Sequence, residues 1–170
     1  MKSQWKPPKG PNVKVNFDAV FKPNLRQSWL GFVIKNKAGL VLGSGVRRNT
    51  YVATAFSAEA LACVQALEFA MKMGFQHIEM EGDSRTTIVK AQKCALDRPE
   101  IGIHIEEIKR LATKFHFIYF QYVDTEANGV AHTIAKAGFP LTENHFWVEE
   151  VPKSAMDVVN RDRWLLGFPD

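Results

Sequence analysis

The chain has 170 residues, of which 46% are hydrophobic and 24% are charged. These fractions are typical of a folded globular protein and exclude a disordered or collagen-like chain. The net charge is +4, from 22 Lys and Arg against 18 Asp and Glu, and no stretch of about 20 residues is free of charge and apolar throughout. We therefore expect no transmembrane helix. The start of the chain lacks the apolar segment of a secretory signal, so we expect an intracellular protein that does not bind membranes.

The basic charge is concentrated at the start of the chain. Residues 1–26 contain six Lys or Arg and one Asp. Residues 1–12 hold three prolines, which do not propagate a helix, so this part is predicted to be an extended lead-in. A basic segment attracts phosphates, although a solvated tail explains the charge equally well. Cys63 and Cys94 have no zinc-ligand spacing and are expected to be reduced and buried.

The pattern of apolar residues predicts one α/β domain over residues 13–138. Three strands are predicted first, at 13–20, 29–35 and 40–46, with a hairpin turn that closes at Gly39. The elements that follow are a helix at 54–73, a strand at 77–83, a helix at 84–94, a helix near 103–112, a strand at 117–123 and a helix at 126–137. This order predicts a five-stranded mixed sheet, three antiparallel strands and then parallel ones, flanked by helices. Residues 139–170 are expected to pack loosely on this domain. We expect the protein to be a monomer.

Three carboxylates stand at unusual positions. Asp18 interrupts an apolar part of the first strand, where Asp is disfavoured. Glu59 heads an otherwise apolar helical stripe, and Asp83 follows a strand directly before a helix, where α/β sheets bind ligands. Each also has an ordinary explanation. Asp18 can face solvent. The helix dipole favours an acidic residue such as Glu59 in the first turn of a helix, and Asp83 can cap a turn.

The predicted topology can bring these three carboxylates to a common point. Converging carboxylates repel one another unless cations lie between them, and hard oxygen ligands suit magnesium, with manganese as the second choice. Two such ions about 4 Å apart can activate a water and stabilise the leaving oxygen in phosphodiester cleavage. The chemistry indicated is hydrolysis of nucleic acid.

Five segments occur in order along the chain: VNFDAVF, LGFVIKNKAGLVLGSG, AEALACVQALEFAMKMG, IEMEGDSRTTIV and EANGVAHTIAKAG. They resemble the plant ribonuclease H-like domain of the type associated with reverse transcriptases and retroelements, over about residues 13–138. The resemblance implies a ribonuclease H fold and two-metal cleavage of the RNA strand of an RNA/DNA hybrid. It also implies that Asp18, Glu59 and Asp83 bind metal.

The motif set departs from this family's pattern at His132, and also at Ala19, Tyr122 and Thr125. Its enzymes usually carry a fourth carboxylate four residues after an Asn in the last helix, and counted from Asn128 that position is His132. Many plant relatives also have His there. An imidazole brings no negative charge, which weakens magnesium binding and favours manganese. The alternative is a capped helix histidine without a catalytic role.

The expected nucleic-acid contacts are Asn16, Ser84, Arg85 and Asn128. Ser84 and Arg85 begin the helix after Asp83, and a helix N-terminus with basic side chains is a natural anion site. Asn16 is a candidate for reading the 2′-hydroxyls of RNA. Two other functions stay open at this point. One is a module that binds hybrids or double-stranded RNA with weak or lost catalysis, and the other is a protein-interaction domain.

Overall fold

The computed structural model describes residues 3–92, 99–139 and 143–168. Its strands are β1 (Val13–Lys22), β2 (Gln27–Lys35), β3 (Val41–Asn49), β4 (His77–Gly82), β5 (Phe117–Tyr122) and β6 (His145–Val148). Its α-helices are α1 (Ala55–Lys72), α2 (Arg85–Gln92), α3 (Pro99–Ala112), α4 (Gly129–Ala137) and α5 (Met156–Leu165). Within the described ranges, no helix is long and apolar enough to cross a membrane.

The strands form one mixed sheet in the order β5-β4-β1-β2-β3-β6. β1 lies in its middle, antiparallel to β2 and parallel to β4, and β4 is parallel to β5. The mixed sheet flanked by helices is as predicted, but it has six strands, so the prediction of five is wrong. The additional strand, β6, pairs antiparallel with β3. It has only four residues, too few to show the alternation by which the longer strands were predicted.

The hairpin between β2 and β3 closes through its own turn residues. The Asn36 side-chain oxygen accepts hydrogen bonds from the backbone N–H groups of Ala38 at 2.9 Å and Leu40 at 3.1 Å. Gly39 has a φ of 74°, a conformation that residues with a Cβ rarely adopt. The predicted hairpin is therefore confirmed, because turn chemistry is local and readable from sequence.

The boundaries of α1 follow from residues at its two ends. The side chain of Thr54 accepts a hydrogen bond from the Ser57 N–H at 3.0 Å, which satisfies a backbone donor of the first turn. The helix stops before Gly74, whose φ is 85°. Cys63 is buried on this helix as a free thiol, as predicted. The predicted burial of Cys94 lies outside the described residues.

Helices cover both faces of the sheet. On one face, α1 packs against apolar side chains of β1 such as Val15 and Phe17. On the other face, α4 lies directly against β2, because Gly31 has no side chain. A Cβ at Gly31 would come within 2.4 Å of the Ala131 oxygen and 2.3 Å of the Ala135 nitrogen. The candidate site residues come from both covering helices, since Glu59 lies on α1 and His132 on α4.

The C-terminal segment packs tightly against the second face, so the prediction of loose packing is wrong. Val151, Ala155 and Val159 are buried in one cluster with Val33 and Val46 of the sheet. Lys35 of β2 is fully buried, and its Nζ lies 3.0 Å from the Asp162 carboxylate of α5. In the sequence each of these charges looks like a solvated surface residue, because nothing local shows that they pair.

Candidate metal centre

The end of the parallel pairing between β1 and β4 places Asp18 beside Asp83. The pairing of β1 with β4 ends where Phe17 stands opposite Gly82. Asp18 and Asp83 directly follow this last pair, so both lie at the end of the parallel ladder. Asp18 is buried, because β1 continues to Lys22 and still pairs with β2 there, and Asp83 is half-buried. A carboxylate inside a central strand is therefore held out of bulk solvent.

The helix α1 brings the third carboxylate to the same point. Ligand oxygens of Asp18, Glu59 and Asp83 all lie within 4.8 Å of one another. The first turn of α1 contains no acidic residue, so Glu59 stands beyond it. The explanation of Glu59 by the helix dipole is wrong for this reason, because that effect fades past the first turn.

Burial makes this cluster unfavourable for three negative charges. Burial, with the neighbouring charges of Asp18 and Asp83, raises the pKa of Glu59 to about 10. Burial and Asp18 raise the pKa of Asp83 to about 6. The Glu59 Oε2 atom is buried and has no hydrogen-bond partner among the described residues. A buried oxygen without a partner costs free energy unless something binds it.

The side chain of His132 reaches the cluster from α4. Its Nδ1 lies 2.6 Å from the Asp18 Oδ2, and its side chain is 36% exposed. This hydrogen bond to Asp18 raises the pKa of His132, because the carboxylate favours the charged imidazolium. His132 thus contacts a carboxylate of the cluster and does not merely cap its helix.

A hydroxyl in the loop before α4 also contacts the cluster. The side chain of Thr125 favours the charged form of Asp83 and so lowers the pKa of that carboxyl, which partly opposes the effect of burial. Sequence reasoning assigned Thr125 no role. A polar residue three positions before Asn128, in the loop that leads to the histidine helix, is the only signal for it.

Ser84 and Arg85 lie at the start of α2, next to Asp83. The Ser84 hydroxyl accepts a hydrogen bond from the Thr87 N–H at 3.4 Å and donates one to the Thr87 hydroxyl at 2.9 Å. Ser84 thus caps α2, as its position predicts. Arg85 is exposed, and its guanidinium lies 4.3 Å from the centre of the Tyr122 ring. Of these two residues, Arg85 presents a charge to solvent beside the carboxylates.

Asn16 and Asn128 lie in the interior of the molecule. Each is 1% exposed. Asn16 donates a hydrogen bond to the Asn128 side-chain oxygen at 3.0 Å, and Asn128 donates one to the Phe17 carbonyl at 2.8 Å. Burial of this degree leaves neither amide accessible to a nucleic acid. The expectation that these two residues contact the substrate is corrected accordingly, since both amides find their hydrogen-bond partners inside the protein.

The residues of the cluster fit a divalent cation of the hard type. All three donors are carboxylate oxygens, which magnesium and manganese prefer and softer metals do not. One of these oxygens is buried without a partner, and burial together with the neighbouring carboxylates raises the pKa values of Glu59 and Asp83. The arrangement can hold a cation, which would relieve both effects.

The fold and this site define a ribonuclease H-like domain. A structure of RNase H1 from the halophilic archaeon Halobacterium salinarum has a TM-score of 0.71 and 25% identity, over 76% of this chain and 98% of that one. The N-terminal RNase H domain of Rv2228c from Mycobacterium tuberculosis has a TM-score of 0.67 and 19% identity, over 88% and 96%. LC11-RNase H1, isolated from compost by a metagenomic approach, has a TM-score of 0.67 and 18% identity in its complex with an RNA/DNA hybrid, over 74% and 95%.

Residues 16–138 match the family described as reverse transcriptase-like. The chain belongs to this family, and the resemblance to ribonuclease H-like domains is confirmed. No curated protein matches the sequence. The plant origin and the relation to retroelements stay predictions.

Proposed function

We propose that this protein is a metal-dependent endoribonuclease that cleaves the RNA strand of RNA/DNA hybrids by a two-metal mechanism. The observation that carries the proposal is the cluster of Asp18, Glu59 and Asp83, in which a buried Glu59 oxygen has no partner. Further support comes from the family and from the likeness to LC11-RNase H1, whose structure contains an RNA/DNA hybrid.

Asp18, Glu59 and Asp83 would hold the cations, with magnesium as the first choice and manganese as the second. Bound divalent ions supply activation of a water molecule and stabilisation of the leaving oxygen. The chain's own residues orient the ligands. His132 holds one oxygen of Asp18, and the Ala19 N–H donates to the other at 2.8 Å. The Thr125 side chain favours the charged form of Asp83. Asp18 is thereby oriented before a cation arrives.

Arg85 is the residue we assign to the phosphate backbone of the substrate. It is exposed, it stands at the N-terminus of α2 where backbone N–H groups favour anions, and its guanidinium is held over Tyr122. A planar guanidinium suits a phosphate because it donates two parallel hydrogen bonds. Ser84 is left to cap the helix, so we assign it a supporting role.

The test is cleavage of a hybrid with a labelled RNA strand, in magnesium and separately in manganese, with Asp83→Asn alongside. This substitution removes a charge without changing the size of the side chain, so cleavage should be lost while thermal unfolding stays within a few degrees. Glu106→Gln, an exposed position on α3, is the matched control and should cleave normally. Single-stranded RNA and duplex DNA should resist cleavage. Equal activity of Asp83→Asn and the unchanged protein would refute the metal assignment.

A second candidate function is a hybrid-binding module with little turnover. The contact between His132 and Asp18 favours it, because an imidazolium already satisfies a carboxylate oxygen that a cation would otherwise use. Under this alternative the protein shifts the hybrid in a gel but yields no RNA products in either metal. Products that depend on metal and on Asp83 would exclude it.

A further inference from the structure

A buried chain of hydrogen bonds runs from the N-terminal segment to the site. We call residues 3–12 the N-terminal arm. Trp5 of this arm is 2% exposed, and its indole Nε1 donates to the Asn16 side-chain oxygen at 3.0 Å. The Asn16 amide nitrogen donates to Asn128 at 3.0 Å and to the Glu81 carboxylate at 3.0 Å. The arm, which the sequence presents as a solvated lead-in, is therefore joined to the interior.

The far ends of these hydrogen bonds lie on three of the four backbone segments that carry the site. Asn128 donates to the carbonyl of Phe17, the residue before Asp18. The Asn128 carbonyl accepts the His132 N–H at 3.1 Å, which is the first bond of α4. Glu81 precedes Asp83 by two residues on β4. One pair of asparagines thus links the strand of Asp18, the strand of Asp83 and the helix of His132.

Only one orientation of the Asn16 side-chain amide satisfies all of these hydrogen bonds. Asn16 uses its oxygen to accept from Trp5 and its nitrogen to donate to the other two side chains. Because an indole N–H can only donate, it fixes which end of the Asn16 amide faces the arm. Without that donor, a buried amide oxygen is left unpaired, and the cost of this is relieved when the amide turns or shifts.

Several other contacts hold the arm against the sheet. The Lys9 N–H and the Asn12 amide donate to Glu79 at 2.8 and 3.0 Å. The buried Lys14 ammonium donates to the Lys6 carbonyl at 2.7 Å and lies 2.7 Å from Glu81. One of the basic residues that looked available for phosphates, Lys14, thus uses its charge within the molecule.

We propose that the N-terminal arm is a positioning element of the metal centre, acting through Trp5, Asn16 and Asn128. The arm sets the position of the α4 N-terminus relative to β1, and this sets how His132 meets Asp18. The inference rests on the proposed function in that the positioned group is the metal centre. The arm sets the geometry of His132 and Asp18 whether or not the protein is catalytically active.

The test compares two variants of the full chain with two matched controls. Trp5→Phe keeps an aromatic ring beside the ammonium groups of Lys14 and Lys35 and deletes the indole donor. Asn128→Ala deletes the hydrogen bond to the Phe17 carbonyl. Trp164→Phe changes an indole that is 69% exposed. Asn49→Ala breaks a buried amide pair with Gln65, at 2.7 and 2.9 Å, that lies between β3 and α1. This last control loses similar bonds elsewhere in the interior.

Three quantities are measured: the imidazole nitrogen and proton resonances of the five histidines in metal-free protein at one fixed pH, manganese affinity by calorimetry, and the unfolding temperature. We expect both variants to shift the His132 resonances and to leave those of the exposed His116 in place. Manganese affinity should fall about fivefold in Trp5→Phe and about tenfold in Asn128→Ala, the effect of one or two lost hydrogen bonds. The two control variants should change neither the His132 resonances nor the manganese affinity.

The proposal is overturned if Trp5→Phe and Asn128→Ala lower the unfolding temperature while the His132 resonances and manganese affinity stay those of the unchanged protein. That result would make the arm a stabilising element only. Failure of the proposed function looks different. In that case the unchanged protein cleaves no hybrid or binds no manganese, and the His132 resonances of the variants still decide the positioning role.

Discussion

The chemistry of single residues in this protein is governed by where carboxylates are buried. Glu59 and Asp83 both have raised pKa values, and burial is the largest cause in each. Their neighbour Asp18 is held by a histidine and a backbone N–H. A cluster of this kind opposes folding in the absence of cations, and functional sites often carry such a cost because the same charges are needed for ligand binding.

The first prediction concerns Glu59. The unfolded side chain ionises near pH 4.5, whereas the folded one holds its proton up to about pH 10. The folded state therefore loses stability as the pH rises above 4.5, because the unfolded state gains by ionising. Glu59→Gln removes this loss and should stabilise the metal-free protein by about 3 kcal/mol at pH 7 and by less than about 1 kcal/mol at pH 5.

Urea unfolding at several pH values in a chelating buffer measures this difference, with Glu106→Gln as the control for a surface carboxylate. The same Glu59→Gln protein should lose the rise in unfolding temperature that manganese gives the unchanged protein. A gain that did not vary with pH would show that packing, and not ionisation, separates the two side chains.

The second prediction concerns His132. His132→Asp places a carboxylate beside Asp18, which supplies the negative charge that magnesium binding lacks here. We expect the ratio of magnesium-supported to manganese-supported cleavage to rise about tenfold, a change on the order of that seen when groups around a metal ligand are altered. Rates on the same labelled hybrid give this ratio, and His116→Asp at an exposed position is the control. An unchanged ratio would place His132 outside the metal centre.

At the scale of elements, the close packing of α4 on β2 decides where His132 stands. Gly31 pairs with Asp18 across the strands, and its missing side chain is what lets the backbone of α4 approach. Because the nearest atoms to a new Cβ belong to backbone, neither element can yield by rotating a side chain. The position of α4 is thus set by one residue of the neighbouring strand.

The third prediction follows from this contact. Gly31→Ala should destabilise the protein by about 3 kcal/mol or more, through the clash with the α4 backbone, and should weaken manganese binding by displacing His132. Gly129→Ala is the control, since the nearest atom to its Cβ is a Val158 methyl at 3.2 Å that can move. Chemical unfolding and calorimetry measure both effects. If Gly31→Ala were as stable as the control, the packing described for α4 would be incorrect.

At the scale of the whole molecule, both ends of the described chain close over the second face of the sheet. The arm enters through Trp5, and α5 enters through Asp162. Lys35 of β2 lies between them, 4.4 Å from the centre of the Trp5 ring and 3.0 Å from the Asp162 carboxylate. Burial lowers the pKa of Lys35, and Asp162 partly opposes this shift. The two ends of the described chain therefore meet at Lys35, where α5 supplies the charged partner and the arm supplies the aromatic ring.

The fourth prediction is a double-mutant cycle on this pair. Lys35→Met alone leaves a buried carboxylate without its partner and should cost about 3 to 5 kcal/mol. Lys35→Met combined with Asp162→Leu should unfold within about 2 kcal/mol of the unchanged protein, because two apolar side chains replace two desolvated charges. Urea unfolding of the single and double variants gives the coupling. Additive losses would mean that the two charges do not stabilise each other.

Local patterns in the sequence were sufficient to predict most elements of the sheet and the three carboxylates. Alternation over β1 and the helical stripe of α1 depend on neighbours a few positions away, and so does the turn chemistry at Asn36. Asp18, Glu59 and Asp83 stood out because each broke or ended such a local pattern. The sequence by itself therefore determined the class of fold and the chemistry of the candidate site.

Only the tertiary structure decided which polar residues are interior. Asn16 and Asn128 are 112 positions apart, and Lys35 and Asp162 are 127 apart. No periodicity connects residues at such distances, so Asn16 and Asn128 were predicted to contact nucleic acid and nothing local indicated the pairing of Lys35 with Asp162. The same reason hid the packing of the arm and the C-terminal segment. A buried polar group is stable only with its partner present, and the partner is known only once the chain is folded.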